Sequence, residues 1–296
     1  MKILIVGAGA TGGAFGTLLQ EAGRDITYLV RAPRAVALQR DGLRFVSPSG
    51  DRTHTVQTLV SGEPSDPFDL IILTVKAGAL ESAIADLRPY LGPGSFILPI
   101  LNGLKHIHQL EQEFPGQILG GLAKIVATLE EGVVRQMTGL TTLTIGSPAH
   151  PGVPARIENA LTVPGIALTV SPDITGALWD KWVFIAAAGI ITCLFRGPVG
   201  KIIDAGGLPQ IIAVIAETEA VAAAAGHTVS QQSHTQSKTL LTEAGSAFTS
   251  SLYRDLTAGL PTEAEHILGD LARQAQRHGV ATSLLDLALI QIRTNA

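Results

Sequence analysis

A glycine-rich hexapeptide near the start of the chain has the spacing of a dinucleotide-binding loop. It follows the apolar residues 3–6 and consists of Gly7, Ala8, Gly9, Ala10, Thr11 and Gly12. In such a loop the first glycine makes a tight turn, the second lets the backbone approach a pyrophosphate, and the third allows close helix–strand packing. The helix N-terminus that follows attracts phosphates through its free N–H groups. The loop therefore predicts dinucleotide binding, and the alternative is a packing turn that binds nothing.

Arg31 stands at the end of the next apolar run, residues 26–30. Folds that bind NAD usually place Asp or Glu near this point, where it accepts a hydrogen bond from the ribose 2′-hydroxyl. Arginine instead favours a 2′-phosphate through its charge and its bidentate geometry. Arg34 follows three residues later and could assist. The sequence therefore predicts NADP(H) in preference to NAD, and the alternative is a solvated arginine at a strand end.

Lys76 and Asn102 follow two later apolar runs, residues 70–75 and 96–101. Ligands of open parallel sheets bind outside the carboxyl ends of the strands, so we expect both residues on the edge that carries the glycine loop. An asparagine amide both donates and accepts, which suits a carboxamide, a ribose or a substrate hydroxyl. Either residue alone is more typical of a structural role, and their joint position is what favours cofactor binding.

Lys181 lies between Trp179 and Trp182, directly before the longest apolar run, residues 183–195. A partly buried lysine is a usable proton donor, because desolvation lowers the pKa of an ammonium group toward neutrality. The alternatives are a lysine that extends its amine to solvent and a cation–π contact with a tryptophan.

The elements that would position these residues form two regions. Up to about residue 146, short apolar runs alternate with helical stretches, which is typical of an open parallel sheet; the runs are residues 3–6, 26–30, 70–75 and 96–100. Two short segments, Val133-Val134 and Leu143-Thr144-Ile145, flank Met137-Thr138-Gly139 and predict an antiparallel hairpin. Beyond residue 170 no strand pattern is present, and helices are predicted over residues 174–195, 207–225 and 262–278. The last has a capping box, Thr262 with Glu265, and Gly279 as its stop.

The predicted fold class is therefore α/β, with an N-terminal Rossmann doubly wound sheet and a C-terminal all-helical domain. We expect an NADP-binding Rossmann domain over residues 1–170 and a helical substrate and catalytic domain over residues 171–296, with the active site in the cleft between them.

Composition excludes several other classes of protein. Hydrophobic residues make up 46% of the 296 residues and charged residues 16%, which excludes a disordered chain. A net charge of −4 gives no drive toward nucleic acid or an anionic membrane. The single cysteine, Cys193, and the spacing of the histidines provide no metal site. Residues 183–195 are shorter than the roughly 20 that a membrane span needs, so we expect a core helix. A single cysteine excludes an internal disulfide and fits a reducing cytoplasm, where we expect the protein.

Together these residues resemble those of the ketopantoate reductase (2-dehydropantoate 2-reductase) family over nearly the whole chain. The matching elements are the glycine loop, Arg31, Val75-Lys76, Asn102-Gly103, Trp179-x-Lys181, Ser250-Ser251 and Thr262-Glu263. The resemblance implies NADPH-dependent reduction of a 2-oxoacid to a 2-hydroxyacid, with conversion of 2-dehydropantoate to pantoate, a step of pantothenate biosynthesis, as the leading reaction.

The resemblance also implies roles for individual residues. Lys181 matches the catalytic lysine that protonates the carbonyl oxygen, and Glu263 matches the glutamate that orients substrate and lysine. Ser251 matches a substrate-binding serine, and Asn102 an asparagine near the nicotinamide and the substrate. Lys76 matches a lysine on the cofactor side.

Other positions depart from the family pattern or have no settled role. The family usually carries asparagine four and eight residues after the catalytic lysine, where this chain has Ile185 and Gly189. Leu101 replaces a common glutamine, and Asp255 matches an aspartate whose role stays open. An apolar wall can shift discrimination between substrates by orders of magnitude.

Two alternative functions therefore stay open. One is a related NADPH-dependent reductase of a more apolar 2-oxoacid, and the other is a non-catalytic NADP(H)-binding regulator. Retention of Lys181 with Glu263 argues against the regulator, which has no use for this pair. A homodimer also stays open.

Overall fold

The structure is a computed structural model that describes residues 1–149 and 152–295. The chain forms two compact units. The first contains Met1–Leu101 and His106–Thr175, and the second contains Asn102–Lys105 and Gly176–Ala296. The main crossing between units thus lies a few residues beyond residue 170, and a four-residue segment of the N-terminal half groups with the second unit.

The first unit holds a parallel five-stranded sheet. Its strands are β1 (Lys2–Val6), β2 (Asp25–Leu29), β5 (Gln57–Leu59), β6 (Phe68–Leu73) and β7 (Leu91–Pro99). They are arranged in the order β5-β2-β1-β6-β7. The central strands β1 and β6 are almost entirely buried, which explains why their sequences are continuously apolar rather than alternating. All of the apolar runs that predicted parallel strands lie in this sheet, and the predicted α/β fold is confirmed.

A second sheet in the first unit was not predicted. Its strands are β3 (Leu43–Ser47), β4 (Gly50–His54), β8 (Gly120–Glu130), β9 (Val133–Gly146) and β10 (Ala167–Val170). Strand β9 is its centre and pairs in parallel with β3 and β10 and antiparallel with β8. Strand β4 extends the sheet as an antiparallel partner of β3.

The hairpin predicted around Met137-Thr138-Gly139 is wrong. These residues are the exposed middle of the continuous strand β9, and the chain instead reverses between β8 and β9 at Glu131 and Gly132. Both turn residues have positive φ, 48° and 79°. This is the conformation of a two-residue type I′ turn, whose twist matches that of the paired strands.

Helices cover the sheets of the first unit. They are α1 (Ala10–Glu21), α2 (Ala32–Asp41), α3 (Leu80–Leu87), α4 (Lys105–Glu113) and α5 (Ala155–Leu161). Helix α1 packs against both sheets through one continuous core. A Cβ at Gly16 would overlap the Tyr28 hydroxyl of the first sheet, and a Cβ at Gly13 would lie 2.6 Å from Val134 Cγ2 of the second. Only glycine at these positions lets the helix fit between the sheets.

The second unit is helical, and the described residues after Val170 form no strand. Its helices are α6 (Ile174–Leu194), α7 (Val199–Asp204), α8 (Leu208–Ala224), α9 (Gln231–Leu241), α10 (Ser251–Thr257), α11 (Asp270–His278) and α12 (Ser283–Arg293). A π-helical segment, Glu265–Gly269, leads into α11. Gly279 ends α11 in the left-handed conformation, as predicted.

The predicted capping box of Thr262 and Glu265 is not formed. The Glu265 carboxylate instead accepts hydrogen bonds from Arg293 Nε at 2.7 Å and from Nη2 at 3.0 Å. These bonds hold the pKa of Glu265 below its usual range. A Cβ at Gly269 would lie 2.6 Å from Glu265 Oε2, so the glycine leaves room for this ion pair. The pair joins the start of the π-helical segment to α12.

Helix α6 is long and apolar enough to cross a membrane by length and hydropathy alone. However, 67% of the most apolar 18-residue stretch of this helix is buried inside the protein. Its Trp182 Nε1 also donates a hydrogen bond to the Ile267 carbonyl of the π-helical segment at 2.9 Å. These contacts are those of a core helix.

Candidate active site

The glycine loop of the first unit has the geometry of a dinucleotide-binding turn. Gly7 adopts φ 100°, and its N–H donates to the Leu29 carbonyl at 3.0 Å. A Cβ at Gly12 would overlap the Gly7 carbonyl oxygen, whereas nothing lies within 4 Å of the Cβ position of Gly9. The glycines therefore differ in role: one makes the turn, one leaves space for a ligand, and one permits close packing.

The start of helix α1 is open to an anionic ligand. Gly9 occupies the N-cap position, so no side chain caps the first N–H groups of the helix. Ala10 and Thr11, which follow, are partly exposed. Uncapped N–H groups at a helix N-terminus bind phosphate, and the loop therefore fits the pyrophosphate of a dinucleotide.

The arginines that follow β2 have different surroundings. Arg31 is exposed at the N-cap of α2. Arg34 is partly buried, and its guanidinium donates to the carbonyls of Ala8 at 3.1 Å and Gly132 at 3.3 Å. Burial lowers the pKa of Arg34 from its ordinary value. Arg34, in the first turn of α2, thus supports the glycine loop, while Arg31 faces solvent.

Lys76 is exposed just beyond the carboxyl end of β6, where a 3₁₀ turn begins. Strand β6 pairs with β1, and β1 pairs with β2. The glycine loop, Arg31 and Lys76 therefore follow the carboxyl ends of adjacent parallel strands. This is the edge at which doubly wound sheets bind their ligands.

Asn102 groups with the second unit, whereas the glycine loop, Arg31 and Lys76 belong to the first unit. Its side-chain Nδ2 donates to Glu263 Oε2 at 3.2 Å, and its backbone oxygen lies 2.6 Å from His266 Nε2. Gly103, with φ 79°, allows the turn that follows. The structure thus joins Asn102 to Glu263, the residue to which the resemblance gives a substrate-orienting role.

His266, whose spacing from the other histidines gives no metal site, lies beside Asn102, a position that the sequence does not predict. Its Nδ1 lies 3.5 Å from Asp270 Oδ2, and both side chains are almost buried, 11% and 8% exposed. Asp270 is also bonded by Arg273, whose Nε donates to Oδ1 at 3.1 Å. The spacing of His266, Asp270 and Arg273 along one helical face was the available sequence signal.

Lys181 is half-buried on α6, and Ile185 and Gly189 follow one and two turns later on the same face. A Cβ at Gly189 would lie 3.3 Å from Leu252 Cδ2 and 3.6 Å from Leu268 Cδ2. This face of α6 therefore packs against α10 and the π-helical segment. Gly189, one of the two positions where the resemblance predicts asparagine, is therefore surrounded by the aliphatic side chains of Leu252 and Leu268.

The neighbours of Lys181 anchor its helical turn. Asp180 accepts hydrogen bonds from the Ser230 N–H at 3.1 Å, the Ser230 hydroxyl at 2.6 Å and the Ser233 hydroxyl at 2.8 Å, at the start of α9. Trp179 stacks on His227 with ring centroids 5.1 Å apart. These contacts fix the backbone from which the Lys181 side chain extends.

Ser250 and Ser251 have separate roles. Ser250 is buried and caps α10, because its Oγ accepts from the Tyr253 N–H at 3.0 Å and lies 2.7 Å from Thr192 Oγ1. Ser251 is exposed at the first position of the helix, and Asp255 follows one turn later. The capping role thus belongs to Ser250, and Ser251 presents its hydroxyl at the surface of the second unit.

Within residues 1–149 and 152–295, no group of three His, Cys, Asp or Glu side chains is placed to hold a metal ion. Cys193 is buried in α6, and burial raises the pKa of its thiol to about 12. A thiol in this state is a core side chain and not a nucleophile.

Sequence models of two domains match almost the entire chain. The domain described as ketopantoate reductase PanE/ApbA matches residues 3–150, and the ketopantoate reductase PanE/ApbA C-terminal domain matches residues 173–295. This chain belongs to the ketopantoate reductase family. It is therefore an oxidoreductase with a Rossmann-like N-terminal sheet and a helical C-terminal region.

Several relatives match this ketopantoate reductase family member over almost the whole of both sequences. It is 32% identical over 291 residues to the uncharacterized oxidoreductase YkpB of Bacillus subtilis, covering 97% of this chain and 96% of YkpB. It is 26% identical over 304 residues to a 2-dehydropantoate 2-reductase of Vibrio cholerae, covering 99% and 97%. The crystal structure of 2-dehydropantoate 2-reductase from Geobacter metallireducens superposes with a TM-score of 0.89 at 26% identity, covering 100% of both chains.

Proposed function

We propose that this protein reduces a 2-oxoacid to a 2-hydroxyacid with NADPH, and that 2-dehydropantoate is its leading substrate. The observation that carries the proposal is the hydrogen bond between Asn102 and Glu263 in the second unit. These residues are 161 positions apart in the chain. The family resemblance implies that both of them lie at the substrate. In this proposal residues 1–170 bind NADP(H), and residues 171–296, together with Asn102, bind and convert the 2-oxoacid.

The first unit supplies the cofactor contacts. The N–H groups at the start of α1 would bind the pyrophosphate beside Gly9, where no atom fills the space of a side chain. Arg31, which is exposed, would form a bidentate contact with the 2′-phosphate. Arg34 is engaged with the Ala8 and Gly132 carbonyls and would hold the loop in shape. Lys76, at the end of β6, would bind on the same edge.

The second unit supplies the acid and the substrate contacts. Bound NADPH provides the hydride for C2 of the 2-oxoacid. Lys181 donates a proton to the carbonyl oxygen, and its ammonium stabilises the negative charge that develops there. Glu263 and Asn102 orient the substrate and Lys181, and the exposed hydroxyl of Ser251 adds a polar contact.

The aliphatic surroundings of α6 favour a second candidate, a reductase of a more apolar 2-oxoacid. Ile185 and Gly189 stand where the family usually has asparagines, and Gly189 packs between Leu252 and Leu268. The side chain of 2-dehydropantoate carries a hydroxyl, which gains little from an aliphatic wall. A 2-oxoacid with a branched hydrocarbon side chain matches this wall better.

The experiment that tests both candidates is NADPH oxidation with 2-dehydropantoate and with branched aliphatic 2-oxoacids such as 2-oxoisovalerate and 2-oxoisocaproate. A higher kcat/KM for 2-dehydropantoate supports the first candidate and, with it, the proposed role in pantothenate biosynthesis. A higher value for an aliphatic acid supports the second. Tight NADPH binding without turnover of any 2-oxoacid would refute both and favour a regulator. A cytoplasmic location stays a prediction from the sequence.

A further inference from the structure

His266 contacts the backbone of the residue whose side chain binds Glu263. Its Nε2 lies 2.6 Å from the Asn102 carbonyl oxygen, and an oxygen of this kind only accepts hydrogen bonds, so Nε2 carries the hydrogen. Gly103 packs directly on the ring, because a Cβ there would lie 3.3 Å from His266 Nε2. The Asn102-Gly103 turn therefore rests on His266 through a hydrogen bond and through close packing.

The ring of His266 is itself held in place. Its Nδ1 faces the Asp270 carboxylate at 3.5 Å, and the side chain is 11% exposed. Asp270 is 8% exposed and bonded to Arg273, so its charge is paired and its position fixed. A carboxylate beside Nδ1 and a carbonyl beside Nε2 define one orientation of the imidazole, because flipping the ring would place carbon atoms against one or both acceptors.

A third contact joins this group to the candidate active site. The N–H groups of His266 and Ile267 donate to the Glu263 carbonyl at 3.1 and 2.9 Å. His266 thus follows Glu263 within one helical turn and also bonds the backbone of Asn102. A single side chain therefore connects the two backbone segments that carry the Asn102–Glu263 hydrogen bond.

We propose that His266 is a positioning residue, which sets the placement of the Asn102 amide against Glu263 and thereby the binding of the 2-oxoacid. This proposal rests on the proposed function. The proposal requires no proton transfer by His266 and no contact between His266 and substrate or cofactor. Its loss would release the Asn102-Gly103 turn, and misplacement of a substrate-binding group by about 1 Å can cost about 100-fold in rate.

The test compares His266→Ala, which removes the N–H donor, with His266→Gln, whose amide can still donate to the Asn102 carbonyl. For the best 2-oxoacid we expect His266→Ala to lower kcat/KM by about 10- to 100-fold, mainly through KM, with the Kd of NADPH within about twofold of the unmodified protein. His266→Gln should recover at least part of this loss. His278→Ala, at an exposed histidine of α11, is the matched control and should leave both constants unchanged.

Hydrogen exchange of residues 102–105 gives a readout that does not depend on turnover. Exchange should accelerate in His266→Ala and stay slow in His266→Gln and His278→Ala. A His266→Ala variant with kcat/KM within about twofold and unchanged exchange would overturn the proposal, and so would a His266→Gln variant no better than His266→Ala. If the unmodified protein reduces no 2-oxoacid, the proposed function fails, and the exchange measurement alone decides the positioning role. If His266→Ala does not fold, the same comparison is made between His266→Gln and His266→Leu.

Discussion

The glycine loop of the first unit and the Asn102–Glu263–His266 cluster of the second unit are built in opposite ways. The loop acts through backbone groups, and its glycines matter because side chains are missing: Gly7 turns, Gly9 leaves space and Gly12 packs. The cluster is held together by hydrogen bonds of side chains, which join segments more than 160 residues apart in the chain. A local backbone site is sensitive to added atoms, whereas a side-chain cluster assembled by tertiary packing is sensitive to removed ones.

The largest effect is expected in the second unit, from the substitution Lys181→Ala. Removal of the proton donor should lower kcat by about 100-fold or more, the usual scale for losing a positioned general acid. The Kd of NADPH should hardly change, because the predicted contacts with the pyrophosphate and the 2′-phosphate lie in the first unit. Steady-state kinetics and a fluorescence titration with NADPH measure the two constants. Lys201→Ala, at an exposed lysine of α7, is the control, and a near-normal kcat in Lys181→Ala would refute the assignment.

In the glycine loop the corresponding test adds a side-chain atom, through the substitution Gly12→Ala. The new Cβ would overlap the Gly7 carbonyl oxygen, so the loop or α1 must shift. We expect the free energy of unfolding to fall by about 1–3 kcal/mol, as is typical of overpacking, together with weaker NADPH binding. Urea unfolding and NADPH titration measure both. Gly139→Ala, where nothing lies within 4 Å of the added Cβ, should change neither. Unaltered stability in Gly12→Ala would contradict the packing argument.

Substitutions of Arg31 and Arg34 distinguish two roles within the first unit: direct contact with the 2′-phosphate, and support of the loop backbone. Arg31→Ala should remove most of the preference for NADPH over NADH, about tenfold for the loss of a charge-assisted contact. Arg34→Ala should weaken NADPH and NADH alike, because Arg34 supports the loop through the Ala8 carbonyl. The ratio of the two Kd values in each variant is the measurement. An unmodified protein that prefers NADH would refute the role of Arg31.

Ile185→Asn tests the aliphatic wall of the second unit. The amide supplies a polar partner one turn after Lys181, so the ratio of kcat/KM for 2-dehydropantoate to that for an aliphatic 2-oxoacid should rise by about fivefold to tenfold. Ile185→Leu keeps the wall apolar and should leave the ratio unchanged. Equal ratios in the two variants would show that this wall does not face the substrate.

The smallest effect is expected from Arg293→Ala, which breaks the ion pair with Glu265. The pair is more than half exposed, so the free energy of unfolding at neutral pH should fall by less than about 1 kcal/mol. Arg293 holds the pKa of Glu265 below its usual range, so the stabilisation is present above the ordinary glutamate pKa. It is lost as the pH falls through the depressed value.

Urea unfolding of both proteins at neutral pH and near pH 3 measures this difference, which should shrink in acid. Normal kcat in Arg293→Ala would separate Glu265, a structural residue, from Glu263, for which we propose a role in the active site. A difference in stability that grows as the pH falls would contradict the ion-pair account.

The parts of the fold that could be predicted are those encoded locally. Strands β1 and β6 are buried on both faces and therefore continuously apolar, and the glycine loop is contained in six consecutive residues. Strands β8 and β9 carry exposed residues over much of their length, and the exposed Met137-Thr138-Gly139 has the composition of a turn. Their pairing depends on partners such as β3 and β10, which no local pattern identifies.

The same limit applies to the candidate site. The position of Lys181 between two tryptophans made it a candidate proton donor, but spacing alone favours a structural role for both Lys181 and Glu263. Their catalytic roles come from the family resemblance. His266 lies on a helical face with Asp270 and Arg273, a pattern typical of surface helices, and its contact with Asn102 spans 164 positions. The predicted capping box is absent because the Glu265 carboxylate is bonded to Arg293, 28 positions away in the chain, which no local pattern identifies.

The grouping of Asn102–Lys105 with the second unit has a consequence for recombination of this protein. No single cut separates the two units, because these residues are flanked on both sides by chain of the first unit. A fragment that begins at Gly176 would carry Lys181, Glu263 and His266 but would lack Asn102. His266 would lose the carbonyl to which it donates, and Glu263 would lose the amide from which it accepts a hydrogen bond. The helical unit is therefore not a transferable module. A chimaera that joins it to another dinucleotide-binding domain needs the Asn102-Gly103 turn grafted after the last strand of the new sheet.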